Sequence, residues 1–119
     1  MAEPPTPAEP VVRDVVLEVN LPDALPTDRV QIRRIQMRPG HPAGLHVHNG
    51  PVVGSVLEGS VIFEVEGEAR SVLRPGDVFY EPEGARIAHF DAGPEGATFH
   101  AYFLLRAGQE PGMEFPPDG

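Results

Sequence analysis

The chain has 119 residues, which is enough for one domain with a single hydrophobic core. It contains no cysteine and no lysine, so disulfides, thiolate chemistry and Schiff-base catalysis are excluded. The net charge of −9 and the lack of an apolar run long enough to cross a bilayer argue against nucleic-acid and membrane partners. Together these features predict a cytoplasmic protein that acts on a small molecule or on a protein partner.

Composition divides the sequence into three parts. Residues 1–10 are rich in proline and acid and predict a disordered lead-in, residues 11–108 predict the folded domain, and residues 109–119 predict a C-terminal tail. Within the domain no helical periodicity persists, and short β-like runs alternate with turns that contain glycine or proline. The predicted strands span residues 11–19, 29–37, 45–47, 52–57, 60–65, 69–73, 78–80, 86–90 and 97–105. Many short strands separated by turns indicate a β-sandwich or β-barrel.

The strongest chemical signal is the pair His46 and His48. Positions i and i+2 of a strand face the same side, so both imidazoles would point into the barrel. The two side chains would lie about 7 Å apart along the strand, close enough to tilt toward one ion between them. Neutral imidazole suits divalent transition metals, so the pair predicts a metal site. The alternative is a pair of surface histidines on an edge strand.

The residues around this pair form a longer pattern. Residues 46–59 run His-x-His-x-Gly-Pro-Val-x-Gly-x-Val-Leu-Glu-Gly, Gly40 stands six positions before them, and residues 76–84 place five residues between a glycine and Pro-x-Gly. This pattern resembles the two motifs of the cupin superfamily, in its small single-domain form, over residues 29–105. The resemblance implies an all-β double-stranded β-helix (jelly-roll) barrel, often paired as a homodimer. It also implies a metal set of two histidines and a glutamate from the first motif and one histidine from the second.

The sequence departs from the cupin metal set at two positions. The glutamate of the first motif would fall at Val52, which cannot coordinate a metal. The histidine of the second motif would fall at Ile87, whereas the nearest histidine is His89, two residues later. Three alternatives follow: a β-bulge brings His89 back into register, the ion shifts, or no tight metal site exists. The predicted metal ligands are therefore His46, His48 and His89.

Three further residues are candidates for lining the pocket. His100 and Tyr102 share one face of the last strand and line the pocket if that face points inward. They lie outside, or at a dimer interface, if the neighbouring phenylalanines point inward, which packing favours. Arg34 would face inward and need an anionic partner such as a substrate carboxylate, unless a β-bulge shifts the apolar phase of its strand, which is the simpler explanation. Glu81, next to a proline, is expected to be structural.

Three classes of function remain open: a metal-dependent enzyme, a protein that binds a small ligand, and a structural or regulatory partner protein whose pocket is vestigial. A divalent transition metal (Fe, Mn, Ni, Co or Zn) on the three histidines would leave coordination positions open and suit dioxygenase-like chemistry on a small organic molecule. A non-redox metal would instead suit isomerase- or cyclase-like chemistry. The alternative is a metal-free or non-catalytic cupin that binds a small apolar ligand through the same pocket. The valine at position 52 and the displaced His89 support this alternative.

Overall fold

The computed structural model describes residues 9–117, and within this range the chain is entirely β and irregular structure. Its strands are β1 (Arg29–Met37), β2 (Val47–His48), β3 (Val52–Val65), β4 (Ser71–Leu73), β5 (Val78–Glu81), β6 (Ile87–Leu105) and β7 (Met113–Glu114). The all-β prediction is confirmed. No helix long and apolar enough to cross a membrane is found in the described range. Most of the predicted lead-in, residues 1–8, and the last two residues of the predicted tail lie outside that range.

Two long strands, β3 and β6, form the middle of the fold and run antiparallel to each other. The first half of β3 also pairs with β5, and its second half also pairs with β4. β1 pairs with the second half of β6, in a register that runs without interruption from Arg29 opposite Leu105 to Met37 opposite Ala97. A separate two-stranded sheet joins β2 to β7, near the C-terminus. All of these pairings are antiparallel.

Two dipeptides of a kind typical of turns, Glu58-Gly59 and Gly93-Pro94, lie inside continuous strands. The Glu58-Gly59 and Gly93-Pro94 signals fall within β3 and β6, where the pairing shifts register but does not end. At Gly59 φ is +74°, and a Cβ there would lie 2.0 Å from the carbonyl oxygen of Gly96. Only glycine allows the two backbones to approach this closely. These dipeptides therefore mark bends within two long strands and not the ends of strands.

The core lies between the strands and is rich in phenylalanine. Alternate residues of β6 point inward, so Phe99, Ala101 and Phe103 are buried. The rings of Phe79, Phe90 and Phe99 lie with centroids 4.9–5.9 Å apart, an arrangement of tilted and edge-to-face contacts that favours a single packing. In the neighbouring strands β1 and β3, the residues paired with the buried residues of β6 face the same interior.

The strand predicted over residues 11–19 is wrong. This segment has no paired strand in the described range, and Val15 and Val16 are 80% and 72% exposed. Its five valines have high β propensity, but propensity alone does not form a strand without a neighbour to pair with. The segment is therefore an irregular, largely exposed stretch that precedes β1.

The β-bulge expected near Arg34 is also absent, because the register of β1 with β6 is continuous. Ile35 and Met37 pack against the core, and alternation then places Val30 and Ile32 on the outer face. These two side chains are 56% and 59% exposed. The apolar residues of β1 thus lie on two opposite faces of the sheet, Ile35 and Met37 on the inner face and Val30 and Ile32 on the outer face.

Candidate metal centre

Three buried side chains, His46, His48 and Glu81, meet at one point inside the barrel. His46 is held by backbone hydrogen bonds in both directions with Ile87, with N···O distances of 3.2 and 2.8 Å. His48 lies in β2 opposite Met113, and Glu81 is the last residue of β5. The two imidazoles face the same side, as i and i+2 positions do, with ring centroids 4.9 Å apart and planes at 88°.

The three candidate ligand atoms lie at distances that suit one ion. Oε2 of Glu81 is 3.2 Å from Nε2 of His46 and 3.3 Å from Nε2 of His48. All three atoms lie within 4.8 Å of one another. Ligands bonded about 2.1 Å from a shared metal are separated by about 3.0–3.4 Å in octahedral or tetrahedral geometry. The group therefore has nearly the spacing of a coordination sphere.

The buried side chain of His48 gives a second indication that the group can bind a metal ion. Its Nε2 atom is buried, and within the described part of the chain it forms no hydrogen bond, although Oε2 of Glu81 lies 3.3 Å away. Buried polar atoms are nearly always satisfied, and each exception calls for an explanation. A metal ion at the centre of the group would satisfy this nitrogen.

Hydrogen bonding fixes the orientation of His46. Its Nδ1 donates to the carbonyl oxygen of Gly44 at 2.7 Å, which leaves Nε2 pointing toward Glu81. A backbone carbonyl that receives the remote ring N–H is the usual support of a metal-bound histidine, since it sets both tautomer and ring direction. His46 is thus prepared for coordination through Nε2.

The electrostatics of the group couple its members. Burial acts to lower the pKa of His46, but the hydrogen bonds to Glu81 and Gly44 and the charges of Glu81 and Asp91 outweigh it, so this pKa is raised. Burial acts to raise the pKa of Glu81, but its contacts with His46 and His48 outweigh burial and lower it. Without a metal, the carboxylate is therefore held as an anion beside an imidazole that readily takes up a proton.

Sequence reasoning missed Glu81 and assigned it a structural role. The residue is only 4% exposed, and it stands opposite Val52, where the resemblance would place the acid, in the pairing of β3 with β5. A signal was available, since Glu81 has the same strand phase as Phe79, which is buried. An acid in the inward phase of a strand needs a partner, and His46 and His48 supply it.

His89, expected as the third histidine ligand, is not brought into this group. A bulge is indeed present, because Glu64 pairs with His89 while Val65 pairs with Ile87, which leaves Ala88 as the extra residue. The extra residue reverses the facing of His89, so Phe90 points inward instead. His89 faces a separate open cleft, where its Nδ1 lies 2.9 Å from Asp91.

The three other expected pocket residues lie on the outer face of the sheet. His100 and Tyr102 alternate with the buried phenylalanines of β6 and are half-buried on the opposite side. Arg34 pairs with His100 across the strands and is exposed. The phase of β6 therefore excludes all three from the interior, and the alternative that packing favoured is the observed one.

Comparison with known proteins identifies the family. A family model described as the cupin domain matches residues 33–103. The chain belongs to the cupin family. Its all-β structure is the cupin jelly-roll fold, which confirms the fold expected from the motifs. A comparison with curated proteins gives no match.

Several solved structures resemble this cupin. An oxalate oxidase in complex with the substrate analogue glycolate has 26% identity and a TM-score of 0.61, over 72% of this chain and 45% of that chain. An RmlC-like cupin from Shewanella frigidimarina NCIMB 400 has 27% identity and a TM-score of 0.56, over 63% of this chain and 65% of that chain. The DMSP lyase DddQ from Ruegeria pomeroyi DSS-3 has 20% identity and a TM-score of 0.65, over 78% and 47%, and shows likeness of fold alone. The chain spans less than half the length of the oxalate oxidase.

The cupin barrel contains a cavity of about 530 Å³ that opens onto the three-residue group. The group forms one polar patch of its wall, and most of the remaining wall is apolar. The apolar side chains that line it include Ile35, Met37, Val52, Phe90, Phe99, Phe103, Met113 and Phe115. Arg38 and His41 add polar groups at exposed positions. Such a cavity suits a small organic molecule with an apolar body and a polar end.

The C-terminal segment, predicted as a tail, contributes part of this wall. Met113 in β7 pairs with His48, and Phe115 lies with its ring centroid 6.4 Å from that of His46. Asn49 fastens the segment through hydrogen bonds to Glu110 and Gly112. The described part of the tail therefore covers one side of the candidate metal centre.

Proposed function

We propose that this cupin is a metal-dependent enzyme in which His46, His48 and Glu81 bind one divalent transition metal. The observation that carries this proposal is the buried Nε2 of His48, which has no hydrogen-bond partner within the described residues. It lies 3.3 Å from the carboxylate oxygen that is 3.2 Å from Nε2 of His46, which is the spacing of two ligands of one ion. Two neutral imidazoles and one carboxylate partly neutralise a divalent ion. Metal binding at this set would displace the proton that His46 and Glu81 otherwise share.

The ligand set favours one metal and one class of chemistry. Two histidines and one carboxylate with open positions are typical of non-haem Fe(II) oxygenases, so we propose an iron-dependent oxygenase of the dioxygenase type. When bound, the iron would supply redox chemistry and coordination positions open to substrate. The residues of the chain orient the ligands and keep the site dry, since the three side chains are 3–7% exposed. A non-redox metal at the same site would instead support isomerase- or cyclase-like chemistry.

The cavity indicates the class of substrate. Rings of Phe90, Phe99 and Phe103 form a wall next to the metal group, and a flat apolar or aromatic molecule would pack against them. Arg38 and His41 are exposed lining residues that can receive an anionic end of the substrate. We therefore propose a small organic acid with an apolar body as substrate. The bound glycolate of the related oxalate oxidase is itself a small carboxylate.

A second candidate function is metal-free binding of a small ligand. Two observations favour it: Nε2 of His46 already has a hydrogen bond with Glu81, and aliphatic Val52 and Ile87 occupy positions that the resemblance assigns to ligands. In this case the imidazoles would serve as hydrogen-bond partners of the ligand. The two candidates differ in whether a chelator affects binding.

Metal analysis of the purified chain tests the proposal. After anaerobic reconstitution with Fe(II), Mn, Ni, Co or Zn, we expect one bound metal per chain, with loss of that metal in His48→Ala. His89→Ala is the matched control, because it removes a histidine of the same barrel that does not belong to the His46, His48 and Glu81 group. This variant should retain the metal. Absence of bound metal under all these conditions would overturn the proposal. A ligand-induced rise in melting temperature that a chelator leaves unchanged would then support the metal-free candidate.

A further inference from the structure

The inner face of β1 places an arginine, Arg33, next to the cavity. Ile35 and Met37 of this face line the cavity, and the alternation of a strand puts Arg33 on the same face. Arg33 also stands directly opposite Ala101 of β6, which is another lining residue. The side chain is exposed, so it lies at the rim of the cavity and not within its wall.

Two contacts fix the orientation of the Arg33 guanidinium. Its Cζ lies 5.1 Å from the centroid of the Phe103 ring, in a cation–π contact. Its Nε donates a hydrogen bond of 3.1 Å to Oε1 of Gln31. Because these contacts already restrict the side chain, less conformational entropy is lost when it binds a ligand. The Nε contact leaves the two terminal nitrogens as a fork of the kind that binds a carboxylate through two hydrogen bonds.

No acidic side chain within residues 9–117 pairs with Arg33. The arginines that form ion pairs in this range are Arg29, Arg70, Arg86 and Arg106. The neighbours of Arg33 are instead an aromatic ring and an amide. In a chain whose net charge is −9, a cation without an acidic partner beside a cavity is a group that can receive an anion from a ligand.

Phe103 lies between Arg33 and the candidate metal centre. Its ring lines the cavity, lies under the guanidinium, and has its centroid 6.5 Å from that of His48. A flat molecule that packs along this ring therefore has one end near the imidazoles and the other end near the guanidinium. Because Phe103 is 9% exposed, a charge pair beside it is screened by water less than a pair on an open surface.

From these observations we infer that Arg33 selects substrates that carry a carboxylate at the end remote from the metal. The inference rests on the proposed function, because it concerns the substrate of the same cavity. The carboxylate accepts two hydrogen bonds from the terminal nitrogens of Arg33, and the apolar body lies along Phe103. The opposite end of the molecule faces His46, His48 and Glu81. The substrate class is thus an elongated, flat organic acid with two functional ends.

Pairs of ligands that differ only in charge test this assignment. Hydroxybenzoate, hydroxyphenylacetate and para-coumarate are aromatic acids of increasing length, and the amide of each is the same molecule without the charge. By titration calorimetry, the natural chain should bind at least one of these acids about tenfold or more tightly than its amide. Arg33→Gln should remove this preference and change the affinity for the amide by less than about twofold, with an unchanged circular dichroism spectrum.

Two other arginines of this region provide the controls. Arg34→Gln is the matched control, because Arg34 is the next residue, is exposed and lies on the outer face of the same strand. Arg38→Gln removes the arginine that lies beside the cavity further along the chain. Both variants should keep most of the preference for the acid. A natural chain that prefers none of the acids, or a preference that Arg33→Gln leaves intact, would overturn the inference.

Removal of the metal separates this inference from the proposed function. A carboxylate bound at Arg33 does not coordinate the metal, so the preference for the acid over the amide should persist after a chelator has stripped the protein. A preference that disappears with the metal would place the carboxylate on the ion and would overturn the inference. A chain that binds no metal but keeps a preference dependent on Arg33 would support the inference and contradict the metal-dependent function alone.

Discussion

Glu81 stands directly opposite Val52 in the antiparallel pairing of β3 and β5. Opposite residues of such a pair project from the same face, with Cβ atoms about 4.5–5.5 Å apart. The carboxylate that the cupin motif would place at position 52 therefore reaches the histidine pair from the neighbouring strand. The chain carries its acid on a different motif while keeping it in nearly the same place in the barrel.

This relationship predicts that the carboxylate can be moved between the two strands. Glu81→Val should reduce metal affinity by at least about tenfold, since even residues that only support a metal ligand contribute about 10–100-fold. Adding Val52→Glu in the same chain should recover much of the affinity, because the new carboxylate projects from the same face. Competition with a chromogenic chelator measures both effects.

Glu58→Gln provides the control for the exchange of carboxylates, because Glu58 belongs to the same motif but is exposed. It should leave metal affinity unchanged. If Glu81→Val bound metal as tightly as the natural chain while remaining folded, Glu81 would not be a ligand. If the double variant recovered nothing although folded, the equivalence of positions 52 and 81 would be wrong.

His89 is predicted to be dispensable for metal binding. The bulge at Ala88 turns it to the outer face, where it contacts Asp91. His89→Ala should retain a full equivalent of metal with less than about a twofold change in affinity, whereas His46→Ala should lose the metal, as loss of a ligand costs much more than loss of a distant group. Isothermal titration of the metal-free variants gives both values. Loss of metal in His89→Ala would return this residue to the ligand set.

Local periodicity explains the parts of the fold and site that could be predicted from the sequence. The bounds of β1 at residues 29–37 follow from its apolar pattern and flanking turns, and they are confirmed. The common facing of His46 and His48 follows from the two-residue repeat of a strand, which holds even though β2 is short. The cupin motifs predicted the fold because glycines and prolines at fixed intervals set its turns.

Tertiary pairing explains the parts that could not be predicted. Whether the bulge in β6 turns His89 inward or outward depends on which residue is extra, and the sequence carries no sign that it is Ala88. The phase of β1 depends on how it pairs with β6, so Val30 and Ile32 gave a false inward face. The role of Glu81 required knowing that β5 lies beside β3, which is a contact between distant parts of the chain.

The stability of the metal-free protein is predicted to depend on pH through His46 and Glu81. The pKa of His46 is raised above its ordinary value of 6.5, so its contribution is fully present below pH 6.5 and is lost as pH rises through the raised pKa. The pKa of Glu81 is lowered from 4.5, so its contribution is present above pH 4.5 and is lost as pH falls through the lowered pKa. The pair should therefore stabilise the fold most between pH 4.5 and 6.5.

Urea unfolding of the natural chain and of Glu81→Gln, both stripped of metal, measures this dependence. The difference in the free energy of unfolding between them should be largest near the middle of that range. It should decrease toward alkaline pH as His46 loses its proton. A difference that stays constant from about pH 5.5 to about pH 9 would contradict the coupling of the two groups.

Phe115 is predicted to control access to the metal. Its ring lies 6.4 Å from that of His46 and lines the cavity, yet the residue is 63% exposed, so its removal should cost little stability. Phe115→Ala should speed the removal of metal by a chelator severalfold, because the side of His46 that the ring covers becomes open to solvent. The equilibrium affinity should change little, since no ligand atom is altered. Stopped-flow measurement of metal release gives the rate, and Leu57→Ala, which truncates a 39% exposed residue outside the cavity lining, is the control. Equal release rates in the two variants would show that the C-terminal segment does not shield the site.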